Sequence, residues 1–142
     1  MTQEEKQLLL KDLCGRLPYL VKGLYQWKGN VPFDRELDGQ LYDELYLSLY
    51  ATEDSSFKPY LRPLSSMTAE EKEELEKNYV LSSLNFVVYK IHQHKEWYGG
   101  DDVECTFSDY LWLIDWLNAH HFDYRGLIEK WLALEAPEGM YK

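Results

Sequence analysis

The chain has 142 residues, of which 25 are Asp or Glu and 15 are Lys or Arg, so its formal net charge is −10 at pH 7. The acidic excess is uneven: residues 1–30 carry five basic and three acidic side chains, whereas residues 31–142 carry ten and 22. A surface of this sign repels phosphate, which disfavours direct nucleic-acid binding. The length fits a single domain, 1–142.

The amino-terminal residues are polar and acidic, and the sequence contains no apolar run approaching the ~18 residues of a membrane span. A secretory signal needs a basic start and a longer apolar stretch. We therefore expect a cytoplasmic protein that does not enter a membrane. In that compartment Cys14 and Cys105 are expected to be reduced, buried thiols.

The first predicted element is a short amino-terminal helix. Thr2 and Glu5 have the spacing of a capping box, in which each side chain binds a backbone N–H of the first helical turn. Leucines at helical spacing follow, and Gly15 and Pro18 supply the stop. The pattern predicts a helix over about residues 3–14.

Beyond this helix, a two-residue period predicts strands. Gly29-Asn30 and Asp38-Gly39 are turn signals of the hairpin type, because both central residues of a type I′ turn need positive φ. The prediction is a three-stranded antiparallel meander over residues 19–50, with Asp38-Gly39 at a hairpin tip.

The third strand of this meander has a helical alternative. Its apolar and tyrosine residues alternate, as in a strand, but they also recur four positions apart, as on a helix. The residues concerned are Leu41, Leu45 and Leu49, and Tyr42, Tyr46 and Tyr50. The Asp-Gly signal and the strand propensity of tyrosine favour the strand.

Two prolines and a second capping box organise the middle of the chain. Pro59 and Pro63 favour extended backbone before them, because the residue preceding a proline avoids the helical region. Thr68 and Glu71 repeat the capping-box spacing, so a helix is expected to follow. Residues 79–97 fit either a helix or a strand, and both alternatives stay open.

The last third of the chain is predicted to be helical. Thr106 and Asp109 give a third capping pattern, and the helix that they start is apolar nearly all round, which is typical of a helix buried on most sides or facing a partner. Asp123 is placed to cap a final helix. The apolar residues of that helix are Leu127, Ile128, Trp131 and Leu132. The predicted fold class is therefore α+β: a short amino-terminal helix and a three-stranded antiparallel meander, with carboxyl-terminal helices packed against it.

Four histidines form two pairs, His92 with His94 and His120 with His121. Histidine and carboxylate are common ligands of zinc, but neither pair has the spacing of a known metal motif. A site would require the two pairs to converge in the fold, which the sequence leaves open. We expect no metal and no other cofactor, and we keep a metal-assisted hydrolase around His120, His121 and Asp123 as an alternative function.

The first functional hypothesis is a non-catalytic module that binds an unknown protein partner. No nucleophile elbow, phosphate loop or dinucleotide fingerprint is present, so no catalytic residue is expected. Aromatic residues make up 15% of the chain, and tyrosine and tryptophan suit contact surfaces. The candidate interaction surface comprises Tyr42, Tyr46, Tyr50, Trp112 and Trp116.

A further alternative is a decoy whose acidic surface imitates nucleic acid. Acidic side chains cluster at residues 34–54, 70–76 and 101–109. If two of these clusters share one face, they can imitate a track of phosphates and occupy a basic groove on a partner.

Three segments, Leu8 to Tyr19, Lys58 to Glu71 and Leu117 to Lys142, resemble a family of small proteins encoded by gut anaerobes and their prophages or phages. The resemblance implies a cytoplasmic accessory protein of a mobile element and favours protein–protein interaction over metabolism. It brings no catalytic residue with it.

Overall fold

The structure of the protein, a computed structural model, describes residues 1–48, 55–78 and 107–141. The alternatives for residues 79–97, and the predictions for His92, His94, Cys105 and Tyr50, lie outside these ranges. The described elements are, in chain order, helix α1 (Gln3–Arg16), strands β1 (Lys22–Trp27) and β2 (Phe33–Glu36), helix α2 (Gly39–Leu47), strand β3 (Ser55–Pro63), helices α3 (Ala69–Asn78) and α4 (Phe107–Ala119), and strands β4 (Phe122–Asp123) and β5 (Leu134–Glu135).

Local capping predicts the starts of helices α1 and α3. Thr2 and Glu5 form a complete capping box at the start of α1, which runs to Arg16, slightly beyond the predicted end. Thr68 and Glu71 make the same reciprocal pair of hydrogen bonds before α3. Among the helices of the described ranges, none is long and apolar enough to cross a membrane.

The sheet is mixed, with an antiparallel core. β1 pairs antiparallel with β2 and with β3, while β4 and β5 pair parallel with the end of β3. The α+β class is thus confirmed, but the purely antiparallel arrangement is not. β3 also carries Pro59 and Pro63, which the sequence placed in extended backbone. The hydrogen-bonded path runs β2-β1-β3-β4, and β2 ends it.

The third strand of the predicted meander is wrong, because residues 39–47 form helix α2. Asp38 stays extended and its carboxylate accepts the N–H of Leu41 at 2.7 Å, so it caps the helix and does not turn a hairpin. Gly39 does not take the positive φ that a type I′ turn needs. Leu41 and Leu45, four residues apart, then point together into the core.

The predicted last helix is also wrong: residues 127–133 form a series of turns. Asp123 does cap this segment, since its two carboxylate oxygens accept the N–H groups of Leu127 and Ile128, each at 2.9 Å. The helix does not continue because Trp131 takes a left-handed conformation (φ 62°), which reverses the chain after one turn.

The side chains pack into two apolar clusters. The first joins α1, the β1–β2 hairpin, α2, β3 and the 127–133 turns, and the second lies beneath α3, α4 and β4. Cys14, expected to be buried, is exposed on α1. On that helix it lies about 100° from Leu13 and about 140° from Leu9, which are buried in the first cluster.

Candidate functional site

His120, His121 and Asp123, the candidate site residues, each make a contact with a different neighbour. His120 stacks on the ring of Trp116 at 4.0 Å between centroids. His121 stacks on Tyr141 at 3.7 Å. The carboxylate of Asp123 is buried and occupied by the two backbone N–H groups described above. Each of the three side chains therefore serves a different local contact.

Metal binding has no support in the part of the chain that the structure describes. There, no group of three or more histidine, cysteine, aspartate or glutamate side chains could hold a metal ion. Whether the two histidine pairs converge is not addressed by the described residues, because His92 and His94 lie outside them.

His121 is held in an unusual environment. Its backbone is left-handed (φ 64°), and its buried Nδ1 atom has no hydrogen-bond partner among the described residues. Burial, followed by the positive charges of Arg16, His120 and Arg62, lowers the pKa of His121 to about 4. The ring is therefore neutral at pH 7, where it packs against Tyr141 as a flat, largely apolar surface.

A buried charge network joins α1 to the segment after α4. Arg16 and Asp12 are fully buried and bonded through two contacts of 2.7 and 3.1 Å. The Nη2 atom of Arg16, which makes the longer of these contacts, also donates to the carbonyl oxygen of Phe122 at 2.7 Å, and Arg125 donates to Asp12 at 3.2 Å. Asp12 is thus paired with two guanidinium groups, which is a structural use of its charge and does not leave it free to act as a base.

A cleft of about 590 Å³ opens where the β3–α3 junction faces residues 135–141. On its wall, Arg62 and Glu71 form a bidentate ion pair with contacts of 2.8 and 2.6 Å. Burial alone would raise the pKa of Glu71, but hydrogen bonds from Arg62 and Thr68 outweigh it and lower the pKa to about 2. The carboxylate is therefore ionised at neutral pH and bonded to several donors, which suits a structural ion pair better than a general base.

The sequence-predicted aromatic surface is divided by the fold. Tyr46 and Trp112 are exposed, but Tyr42 is partly buried and packs against the first cluster. Trp116 is 6% exposed and lies inside the second cluster, between His120 and Phe122. Trp116 is therefore largely enclosed, and Tyr50 lies outside the described residues.

A different group of apolar side chains reaches the surface at the end of the β1–β2 hairpin. Trp27, Val31 and Phe33 are 43%, 83% and 53% exposed. Phe33 lies opposite Tyr25 in the strand register, and Trp27 follows Tyr25 by two residues, so both rings project from the face that carries Tyr25. The turn between the strands is closed by a hydrogen bond from Asn30 to Trp27.

The end of α2 adjoins this hairpin. Ser48 follows α2 and exchanges two hydrogen bonds with Ser55, which pairs with Trp27 in the sheet. Leu47 and Tyr46, the exposed residues just before Ser48, therefore lie at the same end of the molecule. We call Trp27, Val31, Phe33, Tyr46 and Leu47 the hairpin-end patch.

Sequence reasoning missed most of this patch, although a signal was present. Residues 23–33 contain one charged side chain, Lys28, in a chain that is 28% charged. A low charge density around a turn is unusual, because turns generally lie in solvent. Comparison of the chain with protein-family models, with curated proteins and with solved structures finds no match.

Proposed function

We propose that this protein is a non-catalytic interaction domain that binds a partner protein through the hairpin-end patch. The observation that carries the proposal is the joint exposure of Trp27, Val31 and Phe33 at one end of the sheet. Contiguous exposed apolar side chains on a soluble surface are costly and typically mark a contact site. Aromatic residues in such a patch are frequent hot spots of binding energy.

The contacts of the candidate catalytic groups favour the same proposal. Asp12, Glu71 and Asp123 are each engaged by arginine or backbone donors. The rings of His120 and His121 are stacked on aromatic neighbours. A general base needs an accessible lone pair near a substrate. The three carboxylates are already bonded to donors, and the unpartnered Nδ1 of His121 is buried.

The composition of the patch indicates the kind of partner. Its centre is apolar, and the turn between the strands carries Lys28 as its charge. A partner surface that fits would offer an apolar pocket for the two rings of Trp27 and Phe33. The strong negative charge of the whole chain opposes binding to anionic surfaces.

The proposal is tested by comparing the proteins captured from the native cell by the wild-type chain and by surface variants. Trp27→Ser and Phe33→Ser should each remove the specific partner, because loss of a central aromatic residue typically costs about 2 kcal/mol or more of binding free energy. Trp131→Ser is the matched control: Trp131 is 77% exposed but is not in the hairpin-end patch.

Circular dichroism and the thermal midpoint would establish that all three variants fold. Loss of the partner with Trp131→Ser, and its retention with Trp27→Ser and Phe33→Ser, would overturn the proposed surface. Binding through the apolar patch should also persist at raised salt, whereas a nucleic-acid decoy would release its partner, since exposed charges are screened.

A further inference from the structure

We propose that β2 is a docking edge for an extended segment of the partner, in which basic and apolar side chains alternate. This inference rests on the proposed function, because it names how the partner of the hairpin-end patch is held. β2 ends the hydrogen-bonded path of the sheet, and no strand in the described ranges pairs with its outer side. An edge strand of this kind can accept a further strand through backbone hydrogen bonds.

The pairing register identifies which backbone groups are free for this purpose. The N–H of Leu37 donates to the carbonyl oxygen of Val21 at 2.8 Å, so Leu37 faces β1. Backbone groups alternate in direction along an antiparallel strand, and Arg35 and Phe33 therefore also face β1. Asp34 and Glu36 consequently direct their N–H and carbonyl groups outward.

The side chains of the edge specify the chemistry of the segment that would pair with it. Asp34 and Glu36 lie on one face of β2 and are both exposed. The side chains of β2 on that face are thus both acidic. In the pairing register, the nearest cation on this face is Lys22 of β1, which lies opposite Glu36. Lysine or arginine at alternate positions of an added strand would face these two carboxylates.

The opposite face of β2 favours apolar partner residues. The ring of Phe33 packs edge-on against Tyr25 at 5.5 Å, and the guanidinium of Arg35 lies over the same ring at 5.2 Å. Phe33 belongs to the hairpin-end patch, so an apolar residue of the added strand would extend that patch. Alternation of basic and apolar residues therefore matches both faces of the edge.

A second copy of the chain does not satisfy these requirements. If two β2 strands paired about a two-fold axis at Arg35, the two arginines would face each other and Asp34 would face Glu36. An axis at Asp34 or at Glu36 would place two identical carboxylates opposite each other, and an axis at Phe33 would place Asp34 opposite Pro32, which has no backbone N–H to donate. Like charges directly opposite destabilise a strand pair, and the net charge of −10 adds general repulsion between copies.

The test uses two synthetic peptides of equal length, one alternating lysine with valine and the other alternating glutamate with valine, titrated into isotope-labelled full-length protein. The lysine peptide should bind, and the glutamate peptide should not. On binding, the amide protons of Asp34 and Glu36 should become protected from solvent exchange. Those of Phe33 and Arg35 should change little, because they already bond to β1.

Glu36→Pro blocks the edge specifically. The substitution removes an outward-facing N–H from an edge strand, where sheets tolerate proline. The affinity for the lysine peptide should fall by about tenfold or more. Glu36→Gln keeps the N–H and removes the charge, so it should weaken binding by only about two- to fivefold. Glu36→Lys should reverse the preference between the peptides.

Unchanged binding of the lysine peptide by folded Glu36→Pro, or equal binding of both peptides, would overturn the docking edge. The proposed function would survive that result if Trp27→Ser still lost the native partner. Conversely, if the peptide binds at β2 while Trp27→Ser and Phe33→Ser keep the native partner, the docking edge stands and the hairpin-end patch fails.

Discussion

The side-chain hydroxyl of Tyr141 lies 2.9 Å from the backbone nitrogen of Lys22, and the two residues are 119 positions apart in the chain. The same hydroxyl donates to the carbonyl oxygen of Tyr60 at 2.8 Å. The β1–β3 register pairs Gly23 with Pro59, so Lys22 and Tyr60 would be the next pair. The Tyr141 hydroxyl therefore takes the place of the backbone hydrogen bonds that Lys22 and Tyr60 would otherwise make where the two strands separate. These bonds hold the carboxyl-terminal segment against the sheet.

Tyr141→Phe should lower the free energy of unfolding by about 1–3 kcal/mol, since it leaves the N–H of Lys22 and the carbonyl of Tyr60 without this partner. Urea denaturation at neutral pH measures the loss. Tyr19→Phe is the control: it removes a hydroxyl that bonds to Asp115 at an exposed position. We expect it to change stability by less than about 0.5 kcal/mol. Equal effects of the two variants would contradict the role given to Tyr141.

His121 should make stability depend on pH between 6.5 and about 4. Its pKa is lowered in the folded protein, so the unfolded chain binds more protons in this window and stability falls as the pH falls through it. For a half-buried ring, solvent screening reduces the effect to about 1–2 kcal/mol.

The variant His121→Asn tests this dependence, because asparagine tolerates the left-handed backbone and does not titrate. Urea unfolding at several pH values should show a smaller loss of stability from pH 6.5 to 4 than in the wild type. A variant that retains the wild-type slope would show that other groups cause it.

Glu71 should contribute stability that is lost at lower pH. Its pKa is lowered from 4.5 to about 2 in the folded protein, so its contribution is full above 4.5 and disappears as the pH falls toward 2. Glu71→Gln should cost about 1–2 kcal/mol at pH 7, since the ion pair with Arg62 is bidentate and partly shielded. Glu70→Gln, at the neighbouring exposed position, should cost less than about 0.5 kcal/mol. Thermal unfolding of both variants at pH 7 and pH 3 would reveal whether the difference narrows, as expected.

Local rules predicted the parts of the fold that depend on neighbouring residues. Both capping boxes that the structure describes form as the sequence indicates, because their partners are three residues apart and need no distant contact. The hairpin predicted at Asp38-Gly39 was wrong because the same dipeptide can either form a hairpin turn or begin a helix. Burial of Leu41 and Leu45 against the rest of the core settles the choice in favour of a helix, and that information is not local.

The candidate surface was predicted less well than the fold for a related reason. Residue type does not reveal whether an aromatic ring is inside or outside. Trp116 and Trp27 are both tryptophans, yet Trp116 stacks within the second cluster and Trp27 is exposed at a hairpin end. Their separation depends on how α4 meets Phe122 and on where β1 stops, and both are properties of the assembled sheet.

The buried pair of Asp12 and Arg16 allows a prediction in which two losses are not additive. Both side chains are fully buried, and Arg125 provides Asp12 with one further contact. Asp12→Leu leaves the buried guanidinium of Arg16 without its carboxylate partner and should lower the free energy of unfolding by about 3–5 kcal/mol. Arg16→Met should cost somewhat less, because Arg125 still neutralises the carboxylate. The double variant removes both charges and should be more stable than Asp12→Leu alone, since an apolar pair of similar size avoids the cost of desolvating ions. Urea denaturation of the four proteins completes a double-mutant cycle. A double variant whose loss equals the sum of the single losses would mean that the two side chains stabilise the fold independently.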